Sequence, residues 1–291
     1  MQVALHFGAP YTDENRLQMC LGKNRELLAG MDTVVPRPGQ FRKQLRPLMS
    51  EVLNSSNPIP LQQDFLHGIT GGDRPNRIIF SADNFLGFPR TSISENEFFP
   101  GPFNRLVSFL RLFEDAEVEL FYAIRNPATF MQALMVAHKG DDFSALTGHS
   151  DPMALRWSSY FERVIEDCPN TQITAWCNED TPLIWEEILR EIAGVDPTIP
   201  LKAQYDLLQD ILTKEGFERF EEYLKARPDL TQVQKRRVIA AFLEKFADED
   251  ALEEELEVPG WTDDMVEAMT DIYDDDVYLI QAMPEINFIE P

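Results

Sequence analysis

The chain has 291 residues, 44% of them hydrophobic, and a formal net charge of −24, which suits one large α/β domain or a medium domain with an appendage. Such an acidic balance repels nucleic acid and anionic membranes at long range, so neither is an expected partner. No run approaches about eighteen uninterrupted apolar residues, and the amino terminus lacks a basic lead, an apolar signal core and a cleavage site, so a cytoplasmic protein is expected.

Four short segments rich in β-branched and aromatic residues read as strands: VALHF from Val3, RIIFSA from Arg77, VELFYAI from Val118 and QITAWC from Gln172. Each is apolar on both faces, as strands of a parallel sheet covered by helices must be. Helical periodicity marks NRLQMCLGKNRELLAG, FNRLVSFLRLFED, TFMQALMVAHKG, LRWSSYFERVIEDC and PLIWEEILREIAG. That alternation predicts a doubly wound α/β domain over residues 1–195. Beyond Gly194 there is no further strand signal. KAQYDLLQDILTKEGFERFEEYLKARP, QVQKRRVIAAFLEKF and DDMVEAMTDIYDDDVYLIQAM each carry an apolar stripe, so residues 196–291 are expected to form a helical layer packed on the sheet. Pro197, Pro200, Pro228 and Pro259 stand where those helices would stop.

The acid is concentrated at the carboxyl end. Seventeen acidic residues and one basic residue lie from Glu244 to Pro291, including the tract EDALEEELE, so −16 of the −24 resides there. The run reads as a solvated helical face, with attraction of a basic partner as the alternative. Asp274, Asp275 and Asp276 lack the glycine and terminal glutamate of a calcium loop and interrupt a helical pattern. Cys20, Cys168 and Cys177 have no metal-like spacing and read as reduced core residues. His6, His67, His138 and His149 fall in no ligand motif, so no protein-built metal site is expected, and His6 reads as a strand core residue. His149, Ser150 and Asp151 adjoin on a turn, where a nucleophile and base cannot align.

The first strand enters a helix through Gly8, Ala9, Pro10, Tyr11, Thr12, Asp13, Glu14 and Asn15. A strand-turn-helix receives phosphate well, because the first helical turn has unbonded N–H groups and a partial positive charge. LHFGAP, followed by RLQ eight residues after Gly8, resembles the opening of the sulfotransferases, whose 5′-phosphosulfate loop reads Gly-x-Pro-Lys-Thr-Gly-Thr-Thr. Gly8, Pro10 and Thr12 match. Tyr11 stands at the lysine, Asp13 at the glycine, and Glu14 and Asn15 at the two hydroxyl residues. Asp13 and Glu14 are expected to satisfy the helix end and to repel an anionic cofactor.

A second stretch, LFYAIRNPATFMQALMVAH, is similar to the family segment that contacts the nucleotide 3′-phosphate. Arg125, Asn126 and Pro127 match, and Ala133 takes the place of the serine. RIIFSADNFLG resembles the family's central strand, which makes Asp83 the candidate acceptor base, with turn capping before Asn84 as the alternative. ITAWCNEDTPLIWEEILREIAGV is similar to the late strand, acidic turn and helix, where Glu179 and Asp180 read as a helix N-terminal acidic pair.

The resemblance covers about residues 3 to 195. It implies a three-layer parallel sheet of P-loop or sulfotransferase type and, in an active member, transfer of a sulfuryl group from 3′-phosphoadenosine 5′-phosphosulfate to a hydroxyl or amine. Gly8, Ala9, Pro10, Thr12, Arg125 and Asn126 would then bind the cofactor, with Tyr11, Thr12 or Arg16 covering for the lysine. Set against that is a protein that has kept the fold, lost ordinary transfer, and serves in binding or scaffolding. The basic set Arg37, Arg42, Lys43 and Arg46 reads as surface charge, with an anionic substrate or cofactor group as its alternative.

Overall fold

The computed structural model describes residues 1–101, 103–248 and 258–291; the tract EDALEEELE lies outside them. Strands β1 (Gln2–His6), β2 (Thr33–Val34) and β3 (Arg77–Ser81) precede a small hairpin of β4 (Ile93–Ser94) and β5 (Glu97–Phe98). They are followed by β6 (Glu117–Ile124), β7 (Gln172–Cys177) and β8 (Ile286–Ile289). The main sheet has the order β2-β3-β1-β6-β7-β8, and every pairing in it is parallel.

Alternation of side chains across the pleat divides the core in two. Val3, Leu5 and Phe7 join Ile78, Phe80, Leu120, Tyr122 and Ile173 on one face. Ala4, Ile79, Phe121, Ala123 and Trp176 face the other way. The first face carries α3 (Pro38–Asn54), α4 (Ile59–Thr70), α5 (Asn104–Leu112), α6 (Pro127–Ala137) and α8 (Trp157–Asp167), with the short α7 (Phe143–Leu146) beside them. Across the sheet lie α1 (Arg16–Lys23), α2 (Arg25–Ala29), α9 (Thr181–Ala193), α10 (Asp206–Ile211), α11 (Lys214–Lys225) and α12 (Gln232–Phe246). This is the expected three-layer α/β arrangement with helices in the C-terminal part.

The carboxyl-terminal part differs from expectation in one respect. Helix α13 (Asp263–Gln281) returns to the first face, where Met269, Tyr273 and Ile280 enter the core, and β8 then pairs with β7 at the sheet edge. INFI has β-forming residues but only four of them, too few for a periodicity to register. Nor does the triple aspartate interrupt a helix, because α13 runs through it. Met269, Tyr273, Asp276 and Ile280 are its buried stripe, and Asp276 is held there by hydrogen bonds to the start of α8.

Two expected helices are divided, NRLQMCLGKNRELLAG into α1 and α2 and KAQYDLLQDILTKEGFERFEEYLKARP into α10 and α11. Between α1 and α2, the Asn24 side chain donates to the carbonyls of Cys20 and Lys202, each at 2.8 Å, and accepts from the Lys202 N–H at 2.7 Å. A residue that tethers a distant segment in this way ends the periodic helix. The three cysteines are buried, and burial pushes their thiols up, Cys20 to about 11 and Cys168 and Cys177 to about 12. Among the described residues no helix is long and apolar enough to cross a membrane.

Candidate functional site

In an open parallel sheet, ligands bind at the carboxyl ends of the strands where the chain's winding reverses. Here that crevice lies between β1 and β6, and the structure brings the two sequence-marked segments together there. The extension of β1 continues the ladder: Ala9 N–H donates to Ala123 O at 2.8 Å, and Ala123 N–H donates to Gly8 O at 2.9 Å. Gly8 has φ of 152°, and a Cβ on it would lie 2.6 Å from Tyr122 Cε2. The tight approach of loop to sheet thus requires glycine.

From there the loop closes on itself. Pro10 has no N–H, and the Thr12 hydroxyl donates to Ala9 O at 2.7 Å. Asp13 is buried and accepts from the N–H groups of Asn15 at 3.2 Å and Leu17 at 3.1 Å. Its backbone carbonyl takes the N–H of Arg16 at 2.7 Å. Asp13 therefore occupies the helix terminus where a phosphate would sit. Glu14, expected to share that task, is exposed and instead lies 3.7 Å from Arg16. Arg16 also donates to Asp210 on α10 at 3.2 Å, so its guanidinium is committed to the carboxylates of Glu14 and Asp210. The N–H groups of Tyr11, Thr12, Asp13 and Glu14 make no hydrogen bond with the described residues, and they are the donors the loop has left.

Arg125 closes the far side. Its side chain is buried, donates from Nη1 to the carbonyl of Tyr11 and from Nε to Thr129 Oγ1 at 3.0 Å. The guanidinium thus reaches the loop, where it grips backbone. Asn126 caps α6 through Ala128 N–H at 2.9 Å and donates to Thr270 Oγ1 on α13 at 3.0 Å. Its own N–H goes to Glu179 at 2.8 Å, and Tyr273 donates to the same carboxylate at 2.9 Å. Glu179 is thus a strut joining the ends of β6 and β7 to α13, while Asp180 beside it is the N-cap residue of α9, without a side-chain capping bond among the described residues.

Behind the loop the field is negative. Asp83 lies 3.7 Å from Arg42, and burial, with Asp13 nearby, holds its carboxyl above the ordinary range against the pull of Arg42 and His6. Tyr11 is half-buried, with its hydroxyl 3.4 Å from His138 Nε2, and burial together with Asp83 pushes it up, so it carries no charge at neutral pH. No sequence signal marked His138, because a lone histidine at a helix end has no pattern. His6 is buried, 3.0 Å from Ser81 Oγ, and burial lowers its pKa from the ordinary 6.5 despite the attraction of Asp13 and Asp83.

Tested against a phosphosulfate group, this donor set does not fit. The lysine position holds a neutral phenol, the helix terminus holds a carboxylate, and Arg125 is engaged by the loop backbone. His6 has a consequence for stability. A base depressed on folding stabilises fully above its unfolded value and loses that contribution as pH falls below it. Denaturation of the wild type should therefore show stability falling as pH drops from about 6.5, and His6→Gln should flatten that slope; an unchanged slope would contradict the assignment.

No family description matches the sequence, and no curated protein matches it. Among solved structures, the chain is similar to the crystal structure of a sulfotransferase from Alicyclobacillus acidocaldarius, with a TM-score of 0.38 and 12% identity over 82% of this chain and 97% of that one.

Proposed function

We propose that this chain is a sulfotransferase-like protein that has lost ordinary sulfuryl transfer and acts in binding or scaffolding. The observation that carries the reading is Asp13, whose carboxylate takes the helix N-terminal N–H groups of Asn15 and Leu17. An anionic cofactor would have to displace that carboxylate and bear its charge, with Asp83 adding to the repulsion. Removing one donor to a transition state commonly costs about 3 kcal/mol, roughly a hundredfold in rate. Here the cationic donor is absent and a negative charge is added. In an active relative the cofactor would be 3′-phosphoadenosine 5′-phosphosulfate, but no step through it is derived for this donor set.

One observation favours retained nucleotide binding: the N–H groups of Tyr11 to Glu14 make no hydrogen bond with the described residues, and Arg125 lies at the loop. The two readings meet in one variant. In Tyr11→Lys/Asp13→Gly the surviving donors gain a cation and lose the competing carboxylate. Calorimetry should show affinity for 3′-phosphoadenosine 5′-phosphosulfate rising at least about tenfold over wild type, the equivalent of one charge-assisted hydrogen bond. No gain would show that the loop is not an eroded phosphosulfate site.

A further inference from the structure

A cavity of about 180 Å³ opens beyond the end of β3, between α3, α5 and the loop 82–88. Phe41, Leu45 and Phe88 contribute apolar walls, yet three guanidiniums also line it: Arg42, Arg46 and Arg105. Arg42 and Arg46 stand four residues apart on α3, so they share one helix face, where like charges repel. Arg46 has no carboxylate partner among the described residues; its guanidinium lies 5.7 Å from the ring centre of Phe88, which is 62% exposed at the rim. Arg105 donates to the Phe85 carbonyl at 3.1 Å and likewise pairs with no carboxylate there. Arg42 donates from Nη2 to the Ser81 carbonyl at 3.5 Å and lies 3.7 Å from Asp83, and its buried Nε has no hydrogen-bond partner among the described residues.

In a chain with 50 acidic residues against 26 lysines and arginines, partners for cations are abundant, so three arginines lining one largely apolar cavity, with Asp83 at 3.7 Å as the one carboxylate paired to them among the described residues, make a positive site in a negative molecule. A guanidinium cluster binds a planar carboxylate through paired N–H donors. The walls favour an apolar body behind that head, and the volume, below the ~300–1,000 Å³ of pockets for larger ligands, restricts the body to one ring or a short chain.

We propose that this cavity binds a small organic carboxylate, with Arg46 and Arg105 holding the head group, Arg42 shared with Asp83, and Phe41, Leu45 and Phe88 against the body. The cavity adjoins the turn after β1 through Asp83, but its lining arginines and apolar walls are its own.

Three probes with one body and different heads test the idea: phenylbutyrate, phenylbutanol and phenylbutylamine, titrated calorimetrically into the full chain. The acid should bind, with the alcohol at least about tenfold weaker and the amine weaker still. Arg46→Gln and Arg105→Gln should each weaken phenylbutyrate about tenfold while leaving the melting temperature unchanged. Equal affinity for acid and alcohol, retained affinity in both variants, or no heat from phenylbutyrate at about 10 mM would each overturn the proposal. Nucleotide titrated into the same proteins reads the proposed function separately: failure of phenylbutyrate leaves that reading untouched, and nucleotide binding would sink it without touching this one.

Discussion

Gly8→Ala should lower the melting temperature by about 10 °C, from a loss of about 3–5 kcal/mol at roughly 2–4 °C per kcal/mol for a chain of this size. Two effects combine. With φ at 152°, Gly8 has a backbone conformation that side-chain-bearing residues rarely adopt. The new methyl would also meet Tyr122 at 2.6 Å. Tyr122 has nowhere to go: it is fully buried, with Phe7, Tyr160 and Trp157 at centroid distances of 4.7, 4.9 and 5.9 Å. Relief must therefore come from lifting the loop off β6, which breaks the bonds of Ala9 N–H and Gly8 O to Ala123. Thermal unfolding by circular dichroism checks this, and a variant as stable as wild type would mean that the loop is not seated as described.

The second large effect is expected far from the loop. Asp276→Ala should destabilise the fold by about 3 kcal/mol in urea unfolding, and Asp276→Asn by less. Asp276 is 2% exposed, and its carboxylate accepts from Trp157 N–H at 2.6 Å, Ser158 N–H at 3.1 Å and the Ser158 hydroxyl. It caps α8 from another helix, at low dielectric. Alanine leaves two N–H groups and a hydroxyl buried without their acceptor, whereas asparagine keeps one acceptor oxygen. Trp157, whose backbone is fixed by this cap, stacks on Phe98 at 3.7 Å and donates from its indole to Arg125 O at 2.7 Å. The cap therefore also supports the residue that grips the loop. A loss below about 1 kcal/mol, the level of a solvent-exposed cap, would contradict this.

The contrast between these two residues shows what was legible beforehand. Strands buried on both faces are continuous apolar runs, so β1, β3, β6 and β7 could be read from composition alone, and the parallel sheet followed. Gly8 sits in a local strand-turn-helix pattern, while Arg125 and Asn126 were marked by the resemblance of their segment to the sulfotransferases, and the fold brings the two segments together. Asp276 could not, because its meaning depends on a partner 119 residues away; in sequence it is one of three aspartates. The bonds of Glu179 were hidden for the same reason. It stands with Asp180 at the N-terminus of α9, as the sequence indicates, while its hydrogen-bond partners are the distant Asn126 and Tyr273. Asp13 lay between these cases, since its capping bonds run two and four residues along the chain and are local enough to anticipate. The basic set on α3 divided only in three dimensions, with Arg42 and Arg46 on the cavity and Lys43 exposed outside its lining.

The central claim is that the turn after β1 is closed by the chain's own groups. Calorimetric titration of the wild type with 3′-phosphoadenosine 5′-phosphate tests it most directly, with Arg125→Ala as the companion. The account predicts no heat from either protein at nucleotide concentrations of about 1 mM, where the weakest specific complexes register. Micromolar binding by the wild type that Arg125→Ala abolishes would contradict it, and would mean that Asp13 yields its place to the nucleotide.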